Sequence, residues 1–171
     1  MVAMVLVDAI DSPVGTLTIA ERAGRVCVLH FGPDGPAIDT MFDRWYPGEP
    51  RARQPIVGIR AVLSRYFAGD VGVLDTIPVE LNGTPFQKTV WQALRRIPSG
   101  TTISYAELAK RIGEPSAVRA VGTANGANPV AVIVPCHRVI GSNGKLTGYG
   151  GGLDRKQWLL EHEGVVSRSL F

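Results

Sequence analysis

At Asn82–Pro85 the chain changes its periodicity, and that change constrains the fold more than any other feature. Ahead of it, apolar residues come in short alternating runs, "VLVDAI", "TLTIAE" and "RVCVLHF". Such runs predict β-strands, with Ser12-Pro13-Val14-Gly15 and Ala23-Gly24 as the turns between them. Beyond it, spacings of three and four take over. Thr84 suits an N-cap and Pro85 the first helical position, with Phe86, Val90, Trp91, Leu94 and Ile97 on one face. The reading is an α/β chain of two domains. Residues 1–83 surround a small antiparallel sheet; residues 84–171 are mostly helical.

Finer elements follow from local signals. The first domain is expected to hold a short helix at 36–45, a second from Pro55 to Phe67 stopped by Gly69, and a strand in "LDTIPVEL". In the second, Ser104 is placed to cap a helix that begins at Tyr105, with Glu107 completing a capping box. Gly113 ends that helix, and Ser116 is expected to cap the next, which carries Val118, Val121 and Ala124. Two short helices joined by a Gly-containing turn form a helix-turn-helix candidate. The second helix is low in bulk, with Ala120, Gly122, Thr123, Ala124 and Gly126 and one long cation, Arg119. Interior glycines weaken a helix, so something is expected to approach this backbone closely: a neighbouring helix or a nucleic-acid groove.

Charge separates the halves. Residues 1–83 carry 7 Lys/Arg against 10 Asp/Glu, and residues 84–171 carry 11 against 5. The basic half points to a polyanion partner. No apolar run approaches the roughly 20 residues of a membrane span. The opening "MVAMVLVDAIDSPVG" lacks a basic signal-peptide region, so a cytoplasmic protein is expected. The two cysteines, Cys27 and Cys136, lie far apart, and no Cys/His cluster has zinc-ligand spacing. Neither a metal nor another cofactor is expected. Cys27, in an alternating apolar run, reads as a small buried hydrophobe.

Cys136 stands elsewhere, in "IVPCHRVI", where an apolar run carries a thiol, an imidazole and a guanidinium side by side. A thiolate is a nucleophile, an imidazole can take the thiol proton, and a carboxylate can orient the imidazole. In an extended strand Cys136 and His137 would face opposite ways, so either the backbone turns at Pro135–His137 or a water relays the proton. The helix "DRKQWLLEHEG" offers Glu161 and Glu163 as the carboxylate, with Glu163 the better placed. Asn128-Pro129 precedes a strand expected in "VAVIV". The Gly-rich "GSNGKLTGYGGG" matches no nucleotide-binding pattern and reads as a pocket wall bearing Tyr149.

Taken together, "PCHRV", the downstream "GYGGG…K.WLL.HEG" and the upstream "ISYAELA…RAVG.ANGANP" resemble the O6-alkylguanine-DNA alkyltransferases, also called methylated-DNA–protein-cysteine methyltransferases. The likeness is strong over residues 84–164, and "DSPVGTLTIAE" near the start is consistent with it. It implies a ribonuclease-H-like first domain and a winged-helix-like second one. It implies direct-reversal DNA repair, an irreversible single-turnover transfer of the alkyl group from O6 of a flipped-out guanine to Cys136, with O4-alkylthymine as a further candidate substrate. His137 would then act through a water as the base, Glu163 would orient it, Asn128 would brace the site, and Tyr105 would protonate the leaving guanine. Arg119 would fill the space of the flipped nucleotide, with Ser104, Ala120, Thr123 and Asn125 as further DNA contacts along the minor groove. Tyr149, Gly150, Val139, Pro135 and Gly122 would line the guanine pocket. Gly150 and Asn125 depart from residues found in some relatives, serine and a larger apolar side chain respectively. The implied partner is double-stranded alkylated DNA, bound by a monomer, with cooperation between copies as an open alternative.

Three other readings compete. A cysteine hydrolase would bring thiol and base from separate segments, unlike Cys136 and His137. A non-catalytic sensor of alkylated bases would lack the acceptor thiol. A plain helix-turn-helix regulator leaves "PCHR" without a purpose.

Overall fold

Three of the alternating runs pair side by side in the computed structural model, which describes residues 3–165. Strands β1 (Val5–Ile10), β2 (Leu17–Arg22) and β3 (Arg25–Phe31) form an antiparallel meander, with Val7 opposite Ala20 and Ile19 opposite Leu29. Alternation sends Val5, Val7, Ala20 and Val28 into a core closed by Ile38 and Phe42 of α1 (Pro36–Trp45). The sheet is not purely antiparallel, as the sequence predicts. A fourth strand, β4 (Arg51–Arg53), runs parallel to β1 and sets the order β3-β2-β1-β4. Three residues between proline-rich flanks carry too little pattern to announce a strand. Helix α2 (Val57–Phe67) follows, burying Ile59, Leu63 and Tyr66, and Gly69 ends it at φ +117°. The strand expected in "LDTIPVEL" is instead a 3₁₀ turn, Val73–Thr76, followed by a single bridge from Val79 to Val26.

The chain divides into two compact units. The one just described runs to Asn82 and also takes in Pro129–Ala131, which pair with β3 through Leu29. The expected strand "VAVIV" is reduced to that bridge, because Val132 turns the backbone away at φ +69°.

The other unit starts at Gly83 and resumes at Val132. Helix α3 (Pro85–Leu94) opens with a full capping box between Thr84 and Gln87. Its buried Trp91 donates Nε1 to Ala124 O at 2.8 Å and so ties α3 to α5 (Val118–Gly126). Between them lies α4 (Tyr105–Arg111). Ser104 caps it by accepting from Glu107 N, but the Glu107 carboxylate turns to Arg111 instead of completing a box. Ser116 does not cap α5; Ala117 occupies that position without a side-chain bond. Two-residue strands β5 (Ile103–Ser104) and β6 (Val139–Ile140) pair in parallel, and α6 (Leu153–His162) completes the described residues. Among these residues no helix is long and apolar enough to cross a membrane.

Candidate active site

Pro135 and the two residues after it decide the site's geometry. Pro135 fixes its own φ, and the chain turns at once into a 3₁₀ turn, Cys136–Arg138, closed by Arg138 N donating to Pro135 O. The backbone therefore turns where a strand would have separated the thiol from the imidazole. Cys136 is buried, and His137 and Arg138 are buried beside it. Buried charges need partners. Glu163, at the C-cap of α6, supplies one: Arg138 donates Nε and Nη2 to its two oxygens at 2.8 and 2.9 Å. The remaining guanidinium arm donates Nη1 to Ile97 O at 2.6 Å. His137 Nε2 lies 3.0 Å from both carboxylate oxygens.

This arrangement settles the imidazole. With Nε2 donating to Glu163, the lone pair belongs to Nδ1, which is buried without a hydrogen-bond partner among the described residues. Burial pushes the His137 pKa below its ordinary value and outweighs the pull of Glu163 the other way. The ring is thus neutral and able to accept a proton. Burial works against the Glu163 carboxylate too, but His137 and the Arg138 guanidinium outweigh it and hold it well below the usual range. Cys136 is a thiol at rest: burial pushes its pKa up, and the polar side chains of Asn128 and Tyr149 and the nearby Lys156 charge oppose that rise without cancelling it. Asn128 also donates Nδ2 to Val134 O at 2.8 Å, bracing the segment that enters the turn.

Of the residues singled out from sequence, Cys136, His137, Glu163, Asn128 and Tyr149 converge here. Pro135 and Val139 are buried on either side of the turn, and Gly150 is exposed, with open space where a Cβ would stand. Arg119, Ala120 and Thr123 form an exposed face of α5, Thr123 Oγ1 bonding back to Arg119 O. Tyr105 is half-buried, its ring 3.8 Å from where a Cβ on Gly122 would lie, so α4 and α5 approach closely there. Ser104 spends its hydroxyl on the α4 cap. Asn125 is not on the exposed face. It is buried with Val121 and Ala124, and its Nδ2 faces Cys136 O at 3.4 Å. Positions 121, 124 and 125 share one helical face, a spacing that assigns Asn125 inward.

The sequence reading notes the Arg138 guanidinium beside the thiol but gives it no role, and it misses Lys156 altogether. Arg138 sits in an apolar run, where a guanidinium is kept only if a carboxylate meets it. Lys156 shares the inward face of α6 with Leu159 and Leu160, a spacing of three and four that places it in the core. No group of three potential metal-ligating side chains occurs among the described residues. A cleft of about 330 Å³ in the other unit is lined by Asp8, Asp34, Arg53 and Arg60. There Asp8 pairs with Arg60 and Asp34 with Arg53, so both carboxylates that line the wall are held in ion pairs.

Comparison with known proteins finds close relatives of this chain. Residues 85–165 match the family model for the 6-O-methylguanine DNA methyltransferase DNA-binding domain. The chain is 59% identical to a methylated-DNA–protein-cysteine methyltransferase of Salmonella typhimurium over 165 residues, covering 94% of this chain and 96% of that one. A crystal structure of the Mycobacterium tuberculosis O6-methylguanine methyltransferase superposes with a TM-score of 0.80 at 45% identity, covering 94% and 93% of the two chains. A structure of the M. tuberculosis protein in complex with DNA gives 0.79 at 44% identity, covering 92% of each.

Proposed function

Because the chain belongs to the methylated-DNA–protein-cysteine methyltransferases, we propose that Cys136 is the acceptor through which it reverses O6-alkylguanine damage in DNA. The protein transfers an alkyl group from the damaged base to its own cysteine. Carbon–sulfur bond formation at Cys136 accompanies cleavage of the bond between the alkyl carbon and O6, and guanine departs with the electron pair. The resulting thioether is stable, so each molecule acts once. The observation that carries this reading is the His137–Glu163–Arg138 network beside a buried thiol.

His137 takes the Cys136 proton at Nδ1 through a water, while Glu163 keeps Nε2 protonated and stabilises the imidazolium that forms. Asn128 and Tyr149 stabilise the sulfur as it gains charge. Tyr105 donates a proton to the leaving guanine. The target atom is stacked within the duplex, so the base is flipped into the space beside Tyr149, Gly150 and Val139. Arg119 takes its place in the stack, and the small exposed face of α5, with Ala120 and Thr123, lies along the minor groove. Phosphate contacts by the basic half make binding strongly salt-dependent.

The acceptor and DNA-binding functions belong to a domain at 84–171 with a winged-helix-like fold, which the α3–α5 cluster and the β5–β6 pair support. The domain at 1–83 is ribonuclease-H-like, a reading supported by an antiparallel β3-β2-β1 followed by a parallel β4. The protein works as a monomer in the cytoplasm, where a nucleophilic thiol stays reduced.

Intact mass after incubation with duplex DNA carrying one O6-methylguanine tests the proposal. Wild type gains about 14 Da, the methyl-for-hydrogen exchange of thiol alkylation, and Cys136→Ala gains nothing. Repair without a mass change would mean turnover by another route and would overturn it.

A further inference from the structure

We propose that Lys156 is a positioning residue of the transfer: its buried ammonium joins the segment after Cys136 to the loop that carries Tyr149, and its charge favours the Cys136 thiolate. The inference rests on Cys136 being the acceptor.

Lys156 is fully buried, one of the largest side chains in the core. No ion pair holds it among the described residues. Its ammonium donates instead to three carbonyls, Val139 O at 2.7 Å, Thr147 O at 2.8 Å and Gly148 O at 3.5 Å. Val139 directly follows the reactive turn, and Gly148 directly precedes Tyr149. The nitrogen stands 6.0 Å from the Tyr149 ring centre. One side chain therefore sets the distance between the thiol's own segment and the loop whose tyrosine helps to lower the thiol pKa.

A neutral donor would suffice for joining two loops. A full charge without a carboxylate is costly in such a place, and burial pulls the Lys156 pKa down to about 8. The Cys136 charge acts against that fall, and Lys156 acts reciprocally to lower the thiol. The titratable groups facing Lys156 are Cys136 and His137 from the 3₁₀ turn and Tyr149 from the loop. Glu163, two turns along the same helix, is committed to His137 and Arg138. The ammonium's missing anion is thus the thiolate that the reaction creates.

The test compares wild type, Lys156→Met and Lys156→Arg in a Cys27→Ser background, so that thiolate absorbance near 240 nm reports Cys136. Thermal unfolding identifies which variants are folded. In folded Lys156→Met the thiol pKa rises by about one unit or more. Transfer to O6-methylguanine DNA then slows about tenfold or more at pH 7, since each unit is a factor of ten in thiolate. That deficit narrows as pH rises, and Lys156→Arg restores part of the rate. A second measurement needs no variant of Lys156: ¹³C NMR of the four lysines, labelled at Cε, before and after methylation of the protein. The depressed lysine resonance titrates lower once the thiolate can no longer form. An unchanged thiol pKa in folded Lys156→Met, or an unchanged lysine titration on methylation, would overturn the proposal. If Cys136→Ser still gains the alkyl mass, the acceptor assignment itself has failed, which is a different result.

Discussion

Cys27 and Cys136 are both buried, and burial pushes both thiols up, yet only one is built to react. Around Cys27 the Tyr46 hydroxyl and the Arg22 charge pull the pKa down, but too weakly to offset burial, and no base follows it. Glu80 adds a negative charge, the sulfur faces Ala20 O at 3.6 Å, and the pKa reaches about 12. Around Cys136, Asn128, Lys156 and Tyr149 all favour the anion, and His137 follows it in the same turn. Desolvation therefore does not distinguish a structural thiol from a nucleophile. What distinguishes them is whether donors and a base are already aimed at the charge to come.

The widest gap between the two thiols is expected in the chemistry. Cys27→Ser leaves the single-turnover rate on O6-methylguanine DNA within about twofold, whereas Cys136→Ser abolishes transfer; rapid-quench assays read both. Next in size is an attempt to make the second thiol resemble the first. Glu163→Gln strips the anion from a buried Arg138 and should cost about 3–5 kcal/mol in urea unfolding, the usual penalty for breaking a buried pair. The folded fraction should transfer far more slowly, because His137 loses the group that fixes its tautomer.

Alkaline pH sharpens the contrast through stability. Cys27 has its pKa raised from 9.0 to about 12, so its contribution is complete below pH 9 and is lost as pH climbs through 12. Lys156 works in the opposite sense, since its lowered pKa makes folding more favourable as pH rises from about 8 to 10.5. Chemical denaturation at stepped pH should show Cys27→Ala flattening the loss above pH 9 and Lys156→Met removing the gain between about pH 8 and 10.5. The smallest expected effect separates two residues of α5. Arg119→Ala should slow repair of duplex DNA about tenfold while sparing the free base, since flipping is needed only in the duplex. Asn125→Met should leave DNA affinity within twofold, because that side chain is buried; a large loss in a binding titration would restore it to the DNA face.

Legibility followed the strength of local pattern. The meander, α1 and α2 could be read because alternation and helical spacing run for several residues. The start of α3 could be read because Thr84, Pro85 and Gln87 act locally. The segment before the acceptor could not. "VAVIV" has every mark of a strand, yet Val132 adopts a left-handed conformation that branched residues avoid, which only tertiary constraint can impose. Strand β4 was invisible for the opposite reason, being too short to show a pattern. In the site, the meeting of thiol, imidazole and carboxylate was legible from residue chemistry. Arg138 stood out in its apolar run, but its pairing with Glu163 joins residues 25 positions apart and leaves no local pattern; Lys156 reads as surface by default, and its apolar neighbours Leu159 and Leu160 on the same face were the available signal.

Gly83 carries a consequence for how variation in this protein should be interpreted. A Cβ there would stand 2.6 Å from ring carbons of Trp91 and 2.8 Å from Gln87 Oε1. Trp91 in turn holds the carbonyl of Ala124, next to the asparagine that faces the Cys136 backbone. Any single-codon change at Gly83 therefore shifts the indole or unseats the α3 cap, and the disturbance ends at the repair site. In a survey of natural sequence variants, a substitution more than fifty positions from the acceptor would look remote and conservative. It would still belong among the alleles that leave a cell exposed to alkylating agents.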